Sequence, residues 1–378
     1  MTQRFDAVVV GAGVMGATTA LHLARGGMRV ALVDRGAICR EASGVNAGTL
    51  TLHMTRAALI PYAMRGRELW LDAPRWLGMD AGARAAPGLS VAFTPAERDM
   101  LEHRAAARRQ AGAPIELVTP ARARQVEPGL NGDIIAAAFC ALDGHITAYL
   151  TGLAYRRALV AAGVALFENA PVEGVDSGDG GFAIRAAGAT LLRARRLVLA
   201  GGVWLERMLG WLGLRVPVKC LINQLVVTER LRPVMRSVLG IANGLLSLKQ
   251  FGNGTVLIGG GWQGIGDPDR GGVEAIPDNL IGNVRLARHA IPGLAEARVA
   301  RIWLDLESET ADALPMIGPL PGIEGAHVIG CAHSGFTSGP YMGQLLADFI
   351  LGREPERPLF DPARLIPPQP AASLESIP

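Results

Sequence analysis

The stretch VVVGAGVMGATTALHLARGGMRVALVDR, residues 8–35, changes its pattern twice and determines how the start of the chain folds. Its first residues are a short β-branched run, which is typical of a buried parallel strand. Apolar residues then recur at helical spacing until the glycine pair at 26–27, which is typical of a helix end. A second apolar run, residues 29–33, ends at Asp34. The segment therefore predicts a strand–helix–strand unit with a glycine-rich first turn.

Three glycines of that turn have the spacing of a dinucleotide-binding motif. Gly11 permits a tight turn, Gly13 lets a pyrophosphate approach the backbone, and Gly16 lets the helix pack closely against the strand. The N-terminus of the helix offers free N–H groups and a partial positive charge to the pyrophosphate. Asp34 lies 18 residues beyond Gly16, where a carboxylate accepts hydrogen bonds from ribose hydroxyls and would repel a 2′-phosphate. The motif predicts dinucleotide binding and by itself leaves both NAD and FAD open.

The composition of the chain restricts its class. The 378 residues include 37 basic and 34 acidic side chains, and a net charge of +3 gives no indication of nucleic acid or a membrane surface as a partner. No stretch free of glycine and charge is long enough for a transmembrane segment. The four cysteines contain no CxxC pair, so we predict no metal site and reduced thiols in the cytoplasm.

Patterns further along the chain indicate a second structural unit. The two ends of the chain have α/β character, whereas residues 216–260 contain strand patterns and a hairpin signal at 251–254. Residues 42–48, ASGVNAG, are small and polar and predict a loop against a ligand. Helical patterns occur at 59–77, 94–111, 148–162, 278–290 and 339–351. This order predicts a discontinuous nucleotide-binding domain with a substrate domain inserted through it.

Eight short blocks stand in a fixed order along nearly the whole chain. They are GAGVMG with Asp34, ASGVNAG at 42–48, GHITAYL at 144–150, LAGGVW at 199–204, PVK at 217–219, LIGGGW at 257–262, Trp303 with TADALPMIGP at 310–319, and IGCAHSGFTSGPYMG at 329–343. In this order they resemble the FAD-dependent oxidoreductases of the D-amino-acid oxidase, glycine oxidase and sarcosine oxidase family. Enzymes that bind only NAD do not need the last block. The segment REASGVNAG at 40–48 most resembles one group within this family. That group includes the proline dehydrogenase β-subunit, the B subunit of opine oxidase and the C subunit of hydrogen cyanide synthase.

The resemblance implies a fold of the α/β class. We expect a Rossmann-like three-layer FAD-binding domain with an inserted α+β substrate domain, which is built on a mostly antiparallel sheet. The FAD-binding domain is predicted from residues 1–84, 142–216 and 313–378, and the substrate domain from residues 85–141 and 217–312.

The resemblance also implies which residues contact FAD. In the family, the block at 329–343 begins a helix whose N-terminus faces the flavin ring and favours negative charge on the reduced flavin. The loop at 42–48 lies along the flavin, and Arg35 and Val172 lie by the adenosine. The predicted cofactor-binding residues are Gly11, Ala12, Gly13, Val14, Met15, Gly16, Asp34, Arg35, Ser43, Asn46, Ala47, Gly48, Val172, Ala200, Gly201, Trp204, Gly330, Ser334, Gly335, Phe336 and Thr337.

The FAD is predicted to be noncovalent. Some relatives attach FAD through a cysteine just before the TxD segment, and this chain reads LDLESE there, at 304–309. Cys39 and Cys331 stand in other blocks. Acid precipitation of the protein should therefore leave the flavin in the supernatant, and yellow colour that stays with the pellet would contradict this prediction.

One departure from the family pattern affects the expected substrate. Glycine and D-amino-acid oxidases commonly read W-x-G-L-R-P before the TxD segment, and that arginine binds the substrate carboxylate with its planar fork. This chain reads WLDLES at 303–308, with Glu307 where the arginine is expected. Either another cation replaces it, with Arg301 and Lys249 as candidates, or the substrate presents a cationic group to Glu307. A third interpretation is that Glu307 faces solvent or pairs with an arginine.

The candidate catalytic residues are His333, Glu307 and His53. His333 lies in the flavin-facing block. His53 follows the flavin loop and is interpreted either as a residue over the flavin ring or as the start of a helix. Lys249 is predicted as a solvent-exposed strand lysine rather than as a residue that activates oxygen.

These residues predict FAD-dependent oxidation of an amine or of an imino or amino acid. Hydride would pass from the carbon beside a neutral amine to flavin N5, and the imine would then hydrolyse, which needs orientation and proton loss but no strong protein base. The expected substrate is a secondary amine, an opine-like compound or a cationic amino compound. One alternative is a hydroxy-acid or polyol-phosphate dehydrogenase, and another is a flavin-binding subunit of a complex that performs its chemistry elsewhere. The electron acceptor, which is oxygen or a partner subunit, stays open, as does the choice between a hetero-oligomer with an electron-accepting subunit and a homo-oligomer.

Overall fold

The computed structural model describes residues 2–178, 180–187 and 190–366 of the chain. Of the predicted domain segments, residue 1, residue 179, residues 188–189 and residues 367–378 lie outside the described residues.

The described part of the chain contains the following helices and strands. The helices are α1 (Val14–Arg25), α2 (Ala42–Val45), α3 (Ile60–Leu71), α4 (Ala73–Trp76), α5 (Pro95–Gln110), α6 (Pro120–Val126), α7 (Thr151–Ala161), α8 (Leu205–Gly210), α9 (Pro277–Ala290) and α10 (Gly335–Ile350). The strands are β1 (Thr2–Val10), β2 (Val30–Val33), β3 (Thr49–Leu50), β4 (Arg84–Ala85), β5 (Gly88–Ala92), β6 (Ile115–Val118), β7 (Ala136–Cys140), β8 (Gly144–His145), β9 (Ala165–Phe167), β10 (Val172–Gly178), β11 (Gly181–Ala186), β12 (Thr190–Leu199), β13 (Lys219–Thr228), β14 (Val238–Ile241), β15 (Ser247–Gln250), β16 (Val256–Gly259), β17 (Ile265–Asp267), β18 (Gly272–Glu274), β19 (Val299–Glu309), β20 (Met316–Pro319) and β21 (Ala326–Gly330).

The first sheet contains the dinucleotide-binding motif. β1 pairs in parallel with β2 and β12, and β9 and β21 extend this parallel core on either side. Val9 and Leu32 pack with α1, α3, α7 and α10, whereas Val8 and Val33 pack on the opposite face with α8 and the hairpin of β10 and β11. Both faces are covered, which explains why these strands are apolar without alternation. The predicted α/β class with a Rossmann-like layered sheet is confirmed.

The second sheet has the order β19-β13-β16-β15-β14-β5-β7-β6. All its neighbours are antiparallel except β14 and β5, which are parallel. Its strands come from two stretches of the chain, one within residues 88–140 and the other within residues 219–309. The mostly antiparallel second sheet is therefore as predicted. The exact domain boundaries stay a prediction, which this distribution of strands supports.

Three elements differ from the sequence prediction. Residues 42–48, predicted as a loop, contain the single helical turn α2. The helix predicted over 59–77 is two helices, because Pro74 lacks an N–H group and cannot continue α3. The last helix begins at Gly335 rather than at 339, since Ser334 has a left-handed φ of 60° that turns the chain directly into α10.

Candidate active site

A cavity of about 800 Å³ extends from the glycine turn of the first sheet to the second sheet. Such a volume lies in the upper part of the range of about 300–1,000 Å³ that is common for small-molecule sites. Its walls are the glycine turn, the loop at 42–49, residues 305–308 of β19, the segment at 329–337 and one face of α5. The cavity therefore connects the predicted dinucleotide site with the side chains of the second sheet.

The glycine turn is closely packed on one side and open on the other. Gly11 has a φ of 108°, and a Cβ placed on it would overlap the carbonyl of Ala200. Gly13 lines the cavity, and a Cβ on it would meet only the Oγ atom of Ser43, at 3.2 Å. That hydroxyl accepts a hydrogen bond from the N–H of Val14 at 2.9 Å. The open side of Gly13 thus provides the space that a pyrophosphate requires.

Asp34 holds this turn in place. Its carboxylate accepts hydrogen bonds from the N–H groups of Ala12, at 2.6 Å, and Gly36, at 2.7 Å. Burial of this carboxyl raises its pKa although both hydrogen bonds oppose that shift. The guanidinium of Arg35 lies over the Trp204 ring, 3.5 Å from its centre. The contacts of Asp34 and Arg35 with the cofactor stay predictions.

The predicted cofactor-binding residues divide into two groups by their position. Those that line the cavity are Gly13, Val14, Met15, Gly16, Ser43, Asn46, Ala47, Ala200, Gly330, Ser334, Gly335, Phe336 and Thr337. Those that do not line it are Gly11, Ala12, Asp34, Arg35, Gly48, Val172, Gly201 and Trp204.

Glu307 and His333 meet inside the cavity. The Oε1 atom of Glu307 lies 2.9 Å from Nδ1 of His333, which is an ion-pair distance, and accepts a hydrogen bond from the N–H of Ser334 at 3.3 Å. Its Oε2 atom accepts a hydrogen bond from the side-chain amide of Asn223 at 3.1 Å. The interpretation that Glu307 faces solvent or pairs with an arginine is therefore wrong. The two predicted catalytic residues are instead neighbours on the cavity wall.

The electrostatics of this pair favour the charged forms. Burial raises the pKa of Glu307, but the contacts with His333, Asn223 and Ser334 outweigh burial and lower it overall. Burial lowers the pKa of His333, but the contact with Glu307 outweighs burial and raises it. The two shifts agree, because each partner stabilises the charge of the other.

Asp305 adds a second carboxyl group to the same wall. It lies two residues before Glu307 on β19, and alternate residues of a strand face the same side. Burial and the negative charge of Glu307 raise the pKa of Asp305 to about 8. Its Oδ1 atom has no hydrogen-bond partner among the described residues. This wall of the cavity therefore carries two carboxyl groups, of which Glu307 is charged and Asp305 is mostly protonated at neutral pH. Sequence reasoning missed Asp305 because the family pattern concerns position 307.

His53 is part of a buried pair that the sequence did not reveal. The imidazole is 2% exposed, and its Nδ1 atom contacts the carboxylate of Asp143, which also accepts a hydrogen bond from the N–H of Leu52 at 2.6 Å. His53 lines the cavity, while its Nε2 atom is buried and has no partner among the described residues. The helical turn that follows begins only at Ala57, so the interpretation of His53 as a helix start is wrong. Its catalytic role stays a prediction.

Lys249 is fully buried, so its prediction as a solvent-exposed lysine is wrong. It lies on β15, an inner strand of the second sheet. Its Nζ atom donates hydrogen bonds to the carbonyl of Ala47, at 2.6 Å, and to Oγ1 of Thr49, at 2.5 Å. Burial without a carboxylate partner lowers its pKa to about 7. Lys249 therefore connects the second sheet to the loop that is predicted to contact the flavin.

The substitution Lys249→Met should remove a pH dependence of stability. With a folded-state pKa near 7 against an ordinary value of 10.5, the folded protein binds fewer protons than the unfolded chain between these values. The free energy of unfolding should therefore rise with pH across that interval, and it should rise less in Lys249→Met. Urea unfolding at about pH 7 and about pH 9.5 measures the difference. Lys219→Met, at an exposed lysine, should keep the wild-type rise, and equal slopes in all three proteins would contradict the prediction.

Cationic side chains of the cavity come from positions that the sequence did not indicate. Arg301 is exposed and does not line the cavity, so it is not a substitute for the family's arginine. Arg56, Arg104 and Arg108 line it instead. Arg56 pairs with Glu309. The sequence does show a basic face on α5. Its importance becomes clear only once the structure shows that this helix covers the cavity.

The glycine turn, the cavity and the wall formed by β19 define a dinucleotide-dependent enzyme of the Rossmann type. Residues 6–349 match the family of FAD dependent oxidoreductases known as DAO. This chain belongs to the DAO family of FAD dependent oxidoreductases, and the resemblance noted from its eight sequence blocks is confirmed.

Individual relatives cover almost the whole chain. Glycine oxidase of Geobacillus kaustophilus is 29% identical over 363 residues, covering 94% of this chain and 95% of its own. Its crystal structure has a TM-score of 0.82 and covers 93% of this chain and 96% of that one. The B subunit of opine oxidase from Agrobacterium tumefaciens is 28% identical over 351 residues, covering 88% and 89% of the two chains. L-Proline dehydrogenase from P. horikoshii, at 20% identity, shares the fold with a TM-score of 0.88 over 96% and 98% of the two chains.

The residues present fit the cofactor of this family. The cavity begins at Gly13, where any larger side chain would enter it, and reaches the N-terminus of α10. Gly13, Ser43 and Ala47 would hold the pyrophosphate and the flavin side of FAD, and Ser334 to Thr337 would lie at the ring.

No helix in the described part of the chain has the length and apolar character needed to cross a bilayer.

Proposed function

We propose that this FAD-dependent oxidoreductase oxidises the C–N bond of an amine or an amino-acid-like compound. The observation that carries the proposal is that Glu307 on β19 lines the cavity, at the position where the sequence resemblance places the family's carboxylate-binding arginine. The names of the relatives, glycine oxidase and the B subunit of opine oxidase, support C–N donors as substrates.

The chain's own residues would bind and orient the amine. Bound FAD supplies the acceptor for two electrons and a hydrogen. Glu307, held by Asn223 and Ser334, accepts a hydrogen bond from the substrate nitrogen and fixes its direction. His333, whose side chain is 37% exposed, is held in its charged form by Glu307, so it first releases its own proton to solvent and then takes up the proton that the nitrogen loses. His53 supports another part of the cavity lining through its contact with Asp143.

The acidic wall also limits the class of substrate. A cationic amine or guanidinium gains from the charge of Glu307 and can donate a hydrogen bond to the neutral Asp305, whereas a carboxylate at the same place meets the like charge of Glu307 in a partly buried site. We therefore propose a secondary amine, an opine-like compound or a cationic amino compound as substrate. Similarity to the B subunit of opine oxidase supports this choice.

Anaerobic reduction of the bound flavin tests the function directly. Purified protein should be yellow, and addition of secondary amines, opines or amino acids under nitrogen should bleach the flavin absorption. Hydroxy acids and glycerol phosphate, added in parallel, should leave the colour unchanged. Bleaching only by the hydroxyl compounds would favour a hydroxy-acid or polyol-phosphate dehydrogenase, and no bleaching by any donor would favour a flavin-binding subunit.

The partner and the location form a separate proposal. The four cysteines are free thiols, which supports a reducing compartment such as the cytoplasm. The related opine oxidase chain is by its name one subunit of a complex, which supports an electron-accepting partner subunit for this chain. Purification from the native cell should recover such a subunit. Isolation of this chain without a partner, together with oxygen consumption during turnover, would contradict the partner proposal.

A further inference from the structure

One face of α5 forms a basic wall of the cavity. The lining residues of this helix are Leu101, His103, Arg104, Ala107 and Arg108. Residues three and four apart lie on one face of a helix. A capping box between Thr94 and Glu97 fixes the start of α5, and its buried residues pack in the core beside β7. The two guanidinium groups are thus carried by a helix of 16 residues rather than by a loop.

Arg104 and Arg108 have only backbone carbonyls as partners. Arg104 donates from Nη1 to the carbonyl of Ala242 at 2.5 Å, and Arg108 donates from Nε to the carbonyl of Thr55 at 2.7 Å. Within the described residues, neither guanidinium lies at ion-pair distance from a carboxylate. Arg98 differs from them, because it does not line the cavity and lies 3.2 Å from Asp99. Arg104 and Arg108 therefore face the cavity with no carboxylate at ion-pair distance among the described residues.

This arrangement is unfavourable for the protein without a ligand. Like charges four residues apart on a helix repel each other, and the half-buried charge of Arg108, unlike that of the exposed Arg104, is destabilising without a counter-ion. Burial and the charge of Arg104 lower the pKa of Arg108 to about 10, although the charge of Asp143 opposes that shift. An anion between the two side chains would relieve both effects, and the planar fork of a guanidinium matches a carboxylate in two parallel hydrogen bonds.

We propose that Arg104 and Arg108 form a carboxylate-binding site, and that it holds an acid group of the substrate. The second half of this proposal rests on the proposed function, in which the substrate nitrogen lies at Glu307. The cavity then has an acidic wall on β19 for the nitrogen and a basic wall on α5 for a carboxylate. The substrate class is a bipolar amine, whose acid group extends from the reacting nitrogen toward α5. In this chain the carboxylate site accordingly lies on α5 instead of on β19.

Binding of a simple dicarboxylate to the holoprotein tests the site without turnover. Isothermal titration calorimetry should show that glutarate binds at least about tenfold more tightly than its neutral diamide, glutaramide. Arg104→Gln and Arg108→Gln should each weaken glutarate binding by about tenfold or more. Arg108→Lys keeps the charge and loses the fork, so its loss should be smaller. FAD content and thermal unfolding establish that each variant is folded.

Arg109→Gln is the matched control. Arg109 is the next residue of the same helix, is exposed and does not line the cavity. It should bind glutarate like the wild type. Wild-type binding in Arg108→Gln, or an equal loss in Arg109→Gln, would overturn the carboxylate site, since the second result would assign the effect to overall charge.

A comparison of two amines tests the substrate half of the proposal. Wild-type protein should prefer 4-(methylamino)butyrate to N-methylbutylamine through a lower KM, and Arg108→Gln should lose this preference with little change in kcat. Equal KM values for both amines in the wild type would overturn the bipolar substrate. If neither amine, nor any other C–N donor, reduces the flavin, the proposed function fails, and the calorimetric result still decides on the carboxylate site.

Discussion

Gly13→Val should give a folded protein that retains no FAD. Gly13 has a φ of −66°, which valine also adopts, so the backbone is not strained by the change. A Cβ at this position lies 3.2 Å from Oγ of Ser43, and the two additional methyl groups of valine would extend into the cavity where the pyrophosphate approaches. The flavin-to-protein ratio after gel filtration, together with a thermal unfolding curve, measures the effect.

Gly132→Val serves as the control for this loss. Gly132 is exposed and has no positive φ, a Cβ placed on it would have nothing within 4 Å, and it does not line the cavity. The control should carry stoichiometric FAD. Stoichiometric FAD in Gly13→Val as well would show that the cofactor does not lie against this turn.

Substitution of Glu307 should reverse the order of substrate preference. Glu307→Gln removes the charge and keeps the shape, so kcat/KM for a cationic secondary amine should fall by roughly 10- to 100-fold, as expected for a hydrogen bond to a charged group of about 1.5–3 kcal/mol. Glu307→Arg replaces repulsion with a planar fork for carboxylates. Glycine and D-alanine, poor substrates of the wild type, should therefore become the better ones.

The control for this prediction lies in the same sheet. Glu116 on β6 carries the same charge, is exposed and does not line the cavity. Glu116→Gln should leave the order of substrates unchanged. An equal change in Glu116→Gln would indicate long-range charge rather than contact, and efficient turnover of D-alanine by the wild type would remove Glu307 from the substrate site.

The glycine motif follows from local sequence patterns, whereas the direction of the Glu307 side chain depends on contacts with distant parts of the chain. The motif at 8–35 is local, since its glycines, helix and Asp34 lie within one strand–helix–strand unit, and its consequences for the fold are as predicted. The position of Glu307 in the family pattern was also readable. The direction of its side chain could not be predicted from the sequence, because a shift of one residue in the register of β19 against β13 would have turned the side chain away from the cavity.

The burial of Lys249 on an inner strand could not be predicted from the sequence either. A single lysine among strand residues is most often solvent-exposed, and the sequence around it contains no acidic partner that would indicate burial. Its partners, Ala47 and Thr49, lie about two hundred positions away, in the loop beside the first sheet. The order of strands in the second sheet places β15 between β14 and β16, which buries it.

The sequence by itself determined the dinucleotide motif, the family and the α/β class, because these depend on spacing within short segments and on the order of blocks. Only the tertiary structure decided which charges face the cavity. It paired Glu307 with His333 and His53 with Asp143, and it directed Arg104 and Arg108 into the same space. The physical reason is that side-chain direction follows from strand register and from the face that a helix turns inward, and both are set by packing between distant parts of the chain.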